Sequence, residues 1–220
     1  MTLTSDQQLA LSNLVNTQRN LGQSWVNYWQ QYSNAGTWQF WANLILFVGP
    51  LVVLYFVLDR KKAFRIGFYG FNVHVWFGYI DTLGGTRGLW AYPFKIFPFL
   101  SLSFSLEASF VPVVFMLLYQ WTLNRKRNYY LYATVLSAVL AFVVKPVMSW
   151  LDLFQMYRWM NFFYLFLGYI VIMLLSKWVT DFFAYLQKRQ SGGTFQRNSL
   201  TSEVGESGRS KWRRRNRSAF

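Results

Sequence analysis

"WANLILFVGPLVVLYFVLDRKK", residues 41–62, decides the class of this protein. Eighteen residues pass without a charge, and then four charged side chains arrive together. A helix needs about 20 mostly apolar residues to cross a bilayer. The stretch from about residue 39 to residue 58 meets that demand, with Pro50 as a site for a kink. The basic cluster behind it is what fixes such a helix to one side of a membrane.

Four further stretches repeat the pattern. "FRIGFYGFNVHVWFGYI" (64–80) is the least apolar, followed by "SFSLEASFVPVVFMLLYQWTL" (103–123) and "YLYATVLSAVLAFVVKPVMSW" (130–150). The last begins near 159 and ends near 183. Composition agrees: 54% of the 220 residues are hydrophobic, 21% aromatic and only 14% charged. A soluble domain carries about 25% charged residues.

The net charge of +14 invites a nucleic-acid reading. Its placement argues against one, because the basic residues gather at the ends of apolar runs and in the last 33 residues. Arg60, Lys61, Lys62 and Arg65 follow the first stretch, Arg125, Lys126 and Arg127 the third, and Lys188 and Arg189 the fifth. The alternate loops hold only Arg87, Lys95 and Arg158. The positive-inside rule then gives five spans, with the N-terminus outside and the C-terminus in the cytoplasm. The expected fold is all-α: a five-helix transmembrane bundle preceded by an amphipathic helix. It divides into an extracytoplasmic helix (1–37), a spanning domain (38–187) and a disordered basic tail (188–220).

The N-terminal stretch has no basic leader and is not read as a signal peptide. In residues 11–32 the apolar positions Leu11, Leu14, Val15, Leu21, Trp25, Tyr28, Trp29 and Tyr32 recur every three or four residues, one face of a helix. That face suits either the outer lipid surface or the protein's own outer loops. In the tail, Lys211, Arg213, Arg214, Arg215 and Arg217 are candidates for contact with anionic lipid headgroups. A solvated tail that only reinforces topology explains them as well.

Ionisable residues inside a bilayer are costly and mark functional sites by default. Glu107 and Lys145 fall at similar depth in the outer half of the third and fourth spans, either as an ion pair locking two helices or at the base of a polar site opening outward. Asp81 and Asp152 would lie at its rim, and His74, the single histidine, deeper in the second span. A neutral histidine bonded to a neighbouring helix is the plainer account of His74. Pro146 removes the helical donor from the carbonyl of residue 142. Lys177 and Asp181, four residues apart, share a helix face and can form a structural ion pair.

The chain has no cysteine, which excludes disulfides and thiolate chemistry. Nothing has the spacing of a metal or catalytic motif, and no cofactor is expected. "GGTRG" (84–88) lacks the lysine and hydroxyl residue of a phosphate loop. Its glycines instead suggest tight turns in an outer loop whose Trp90, Tyr92 and Phe94 sit at the membrane interface.

Residues 37–187, through "DRKK", the "YID" end of the second stretch, "GLWAYPFKIFPF", "VLAFVVKP" and "MNFFYLFLGYI", resemble the small, uncharacterised multi-pass membrane proteins of endospore-forming Gram-positive bacteria. The resemblance implies a bacterial cytoplasmic membrane and a spore-related setting, and supplies no catalytic residue. The expected role is non-enzymatic: a structural or accessory component acting on the bilayer through a membrane-protein partner or a second copy of itself. The alternative is a small transporter or channel subunit with an outward-facing polar site.

Overall fold

The computed structural model describes residues 3–100 and 102–217, with side chains described as far as residue 189. Two compact units are distinguished, Met1–Lys177 and Trp178–Phe220. The first contains nearly all the elements below; in the second, the last helix continues.

Helix α1, Ser5–Tyr28, begins at a capping box in which the Thr4 side chain accepts from Gln7 and the Gln7 side chain accepts from Thr4. It runs into a π-helical turn, Trp29–Ser33. No residue of α1 is buried, and Leu9, Leu11 and Leu14 are open. Its C-terminal end is the exception to that isolation. Trp29 Nε1 donates to the Lys95 carbonyl (2.8 Å), Ser33 Oγ accepts the Lys95 amide (3.0 Å), and Lys95 Nζ lies 3.8 Å from the centre of the Trp25 ring. Of the two surfaces expected for this helix, its last turns therefore rest on the protein's own loop.

Among the described residues, four helical stretches are long and apolar enough to cross a membrane: Trp38–Val57, Leu106–Arg125, Tyr129–Trp150 and Phe162–Arg189. The first is α2, Trp38–Val57, capped by Thr37, whose side chain accepts from Phe40. It remains helical on both sides of Pro50, and Asn43 is its one buried residue. Helix α3, Ala63–Thr86, has 24 residues, about 36 Å at 1.5 Å per residue, but is more polar than the other four. One face of it is buried in protein, while Phe64, Phe71, Tyr79 and Leu83 are exposed on the other. Ile66, Tyr69, Val73 and Phe77 pack into the core with Phe115 and Tyr119 of helix α4, Val111–Arg125. Shielding from lipid is what lets α3 carry its polar residues. Gly70 and Gly84 allow close approach there, since a Cβ would collide with Met116 at one and with the Trp90 ring at the other.

A π-helical turn, Leu106–Phe110, leads into α4, and a second, Leu140–Val144, joins α5 (Tyr129–Val139) to α6 (Lys145–Trp150). Each lies just ahead of a proline, Pro112 or Pro146. Proline cannot donate to the carbonyl four residues back. In each wider turn the bond spans five residues, Val111 N–H on Leu106 O and Lys145 N–H on Leu140 O. Glu107 sits within one such turn and Lys145 directly after the other. π-Bulges of this kind gather at functional sites.

At one end of the helices, the two basic turns meet. Lys62 Nζ bonds to Asn124 Oδ1, and Gln120 caps the end of α2 by accepting from Asp59 N (2.8 Å) and donating to Val57 O (3.0 Å). At the opposite end, β1 (Trp90–Ala91) pairs antiparallel with β2 (Gln155–Met156), Trp90 against Met156 and Ala91 against Gln155.

Helix α7 runs over Phe162–Arg217. The side chains of Lys211, Arg213, Arg214, Arg215 and Arg217 lie outside the described residues.

The outer loop also differs from expectation. Helix α3 runs through Gly84 and Gly85 to Thr86, and only Gly88 (φ +63°) makes a left-handed turn. Gly84 is buried for packing rather than for turning. Trp90 and Tyr92 are buried rather than interfacial, because Asp81 lies within their reach.

Candidate functional site

Asp81 occupies the last turns of α3, on the face that also carries His74 and Gly78. Its carboxylate is buried and needs donors. Two come from the cap that folds back over α3: Trp90 Nε1 and Tyr92 Oη each donate to Asp81 Oδ1 at 2.7 Å. Buried Trp and Tyr side chains require a partner for their polar ends. The Gly84–Trp90 contact allows the indole to approach closely enough.

Lys145 comes from the other side. Its Nζ donates to the Tyr92 hydroxyl at 3.1 Å and lies 3.8 Å from the centre of the Phe154 ring and 4.9 Å from that of Tyr92. A desolvated ammonium gains about 2 kcal/mol from such a face. Lysine is therefore joined to Asp81 through one phenol. Burial and the neighbouring Asp81 carboxylate push the Tyr92 hydroxyl well above its ordinary 10.0, so it stays a donor at neutral pH.

Glu107 completes the cluster at 2% exposure, with Asp81 and Lys145 each at 3%. Its Oε2 is 3.5 Å from where a Cβ on Gly78, one turn before Asp81 on α3, would stand. Among the described residues, no carboxylate oxygen lies within 4.0 Å of Lys145 Nζ, so the ammonium meets Tyr92 and not Glu107 directly. Asp81 Oδ2 and Glu107 Oε1 are buried with no hydrogen-bond partner. A buried acceptor left so costs about 1–3 kcal/mol.

His74 bonds through Nδ1 to the Glu107 backbone carbonyl at 2.8 Å. A carbonyl only accepts, so Nδ1 carries the proton. This is the helix-to-helix bond expected of a lone histidine, and it fixes the π-helical turn that presents Glu107. Asp152 stands apart. It is exposed in the turn after α6 with φ of +57°, its amide on Ser149 O at 3.2 Å. Lys177 Nζ lies 5.4 Å and 5.8 Å from the ring centres of Tyr129 and Tyr119, toward the basic end. Asp181 follows one turn later on α7.

A cavity of about 50 Å³ borders the cluster, lined by Asp81, Trp90, Lys145 and Tyr169 among apolar neighbours. Trp90, Tyr92, Phe154 and Tyr169 are the members that sequence reading did not place here. The usable signal was local: a Trp and a Tyr nine and eleven residues after an intramembrane Asp, with glycines between. Among the described residues, no group of three or more His, Asp or Glu is placed to hold a metal ion.

No family model, curated protein or solved structure matches the chain.

Proposed function

We propose that this chain is a five-span protein of a bacterial cytoplasmic membrane, N-terminus outside and C-terminus in the cytoplasm, acting as a small transporter or channel subunit. The observation that carries the reading is the buried meeting of Asp81, Glu107 and Lys145, each no more than 3% exposed, under a cap at one end of the helices. Intramembrane charges assembled from three separate helical segments serve a solute more readily than they serve stability, since an apolar core is cheaper to build. Supporting five spans, the Lys62–Asn124 bond joins the two basic turns at one end, which asks α3 and α4 each to run the full thickness. The cap then lies at the outer face by the positive-inside rule.

The test is flux. Purified protein in liposomes should carry protons or small ions, and Asp81→Asn or Lys145→Met should abolish the transport while the protein still inserts. Flux indistinguishable from empty liposomes would remove the reading.

A second reading, an accessory component working through membrane partners, is favoured by α2. Its flank is open along most of its length, Tyr55 being 70% and Phe56 77% exposed. In-membrane crosslinking from position 55 or 56 to one defined protein would support it; crosslinks to lipid alone would not. A spore-related setting enters only through the resemblance.

A further inference from the structure

We propose that the pocket between the end of α1 and the β1–β2 pair binds a neutral sugar unit. The site is separate from the polar cluster, since none of Asp81, Glu107 and Lys145 lines it.

The first ground is shape. The pocket encloses about 340 Å³, within the range of small-molecule sites, about 300–1,000 Å³. Two of its walls are rings of α1: Trp25 and Tyr28 stand 5.9 Å apart between centroids with their planes at 78°, which makes a corner. A third ring, Tyr157, follows β2 and is held by its amide on the Leu89 carbonyl at 2.8 Å. Such rings present electron-rich faces. The C–H groups of a pyranose, polarised by the oxygens beside them, lie well against faces of that kind.

The second ground is the polar lining. Tyr157 Oη donates to Gln155 Oε1 at 2.7 Å, which leaves the Gln155 NH2 as a donor and the phenol oxygen as an acceptor. Ser24 Oγ donates to the Asn20 carbonyl at 2.9 Å and keeps its lone pairs for a ligand. The ligand must therefore donate and accept beside an apolar face. Sugar hydroxyls do both.

Charge settles the class. Among the described residues, none that lines the pocket is charged. The Lys95 ammonium already sits 3.8 Å from the centre of the Trp25 ring. A ring that holds one cation is a poor seat for a quaternary ammonium, the other usual guest of aromatic walls. An acid fares no better. The Lys95 ammonium is spent on Leu100 O at 3.0 Å, and Arg158, next to Tyr157, is exposed and does not line the pocket. The sugar is either free or the headgroup of a glycolipid, and the experiment has an arm for each.

The full chain, in nanodiscs of phosphatidylethanolamine and phosphatidylglycerol, is titrated with maltose, lactose and chitobiose and followed by saturation-transfer NMR. At least one disaccharide should bind saturably and take up saturation on its ring C–H protons. Tyr28→Ala and Gln155→Ala should each weaken that binding by about tenfold or more, while Leu11→Ala, on the same helix and outside the pocket, leaves it unchanged. If the sugar is a lipid headgroup, the disaccharides show no transfer. A glucosyl diacylglycerol with a photoreactive sugar then crosslinks to Tyr28 or Tyr157, and Gln155→Ala weakens the crosslink. Neither transfer nor crosslink in the wild-type protein overturns the proposal, as does binding that both pocket variants leave intact. Saturable binding of tetramethylammonium without any sugar also overturns it, because the pocket is then a cation cage. The wild-type measurements decide even where a variant fails to fold.

Discussion

Lys145 reaches Asp81 through Tyr92: the ammonium is 3.1 Å from the phenol oxygen, and the phenol donates to the carboxylate at 2.7 Å. A loop residue thus holds together two intramembrane charges from α3 and α6. Tyr92→Phe keeps the ring against Phe154, at 5.3 Å between centroids, and removes only the hydroxyl. It should destabilise the protein by about 1–3 kcal/mol, because it strips Lys145 of its acceptor and Asp81 of a donor. Chemical or thermal unfolding in lipid or detergent reads the loss. An unchanged stability would mean that the bridge is not formed.

Gly84 should be intolerant of the smallest addition. A Cβ there meets the Trp90 indole, which is held in place by Asp81. Gly84→Ala should cost about 1–3 kcal/mol as overpacking and shift the tryptophan emission. Gly49→Ala, in α2 with nothing within 4 Å of the new Cβ, should be neutral or stabilising by about 0.5–1 kcal/mol. Equal effects at the two sites would refute the close Trp90 contact.

Lys95 carries a pH signature outside the spans. The residue is 5% exposed; its ammonium donates to Leu100 O at 3.0 Å and is lowered by burial to about 8 from the ordinary 10.5, with Asp81 opposing the shift. Between pH 8 and 10.5 the unfolded chain therefore binds more protons than the folded one. Stability should rise with pH across that window and be flat from this residue below it. Lys95→Met should make the rise shallower. A wild-type curve that falls from pH 8 to 10, in parallel with the variant, would contradict the burial of this ammonium.

The absence of cysteine makes topology directly testable. Single cysteines at the exposed positions Lys61 and Lys126 should both be labelled only from the cytoplasmic side, and those at Thr86 and Asp152 only from outside. Lys61 and Lys126 labelled from opposite sides would mean that α3 does not cross.

Much of this fold could be read directly. Long uncharged runs such as 41–58 can only be solvated by lipid, so helix positions followed from length and hydropathy alone. The 3.6-residue period of Leu11, Leu14 and Trp25 marked α1 in the same local way. The site was legible in its members and not in its wiring. Glu107, Lys145 and Asp81 were visible as charges in the wrong solvent, but depth along two helices says nothing about azimuth. Lys145 faces the cap instead of meeting Glu107. Gly84 and Gly85 read as a turn because glycine is ambiguous between bending a chain and admitting a neighbour, and only the Trp90 ring shows which. Asp152 was placed near the site by sequence position, yet the left-handed turn after α6 carries it into the open.

The most direct measurement is a double-mutant cycle on Lys145→Met and Tyr92→Phe, with unfolding free energies taken in one lipid. With lysine present, loss of the hydroxyl leaves a buried ammonium without its acceptor; with methionine present it does not. Tyr92→Phe should therefore cost at least about 1 kcal/mol less in the Lys145→Met background, a coupling typical of residues in one hydrogen-bonded network. The same cost in both backgrounds would contradict the Lys145–Tyr92–Asp81 connection on which the site is built.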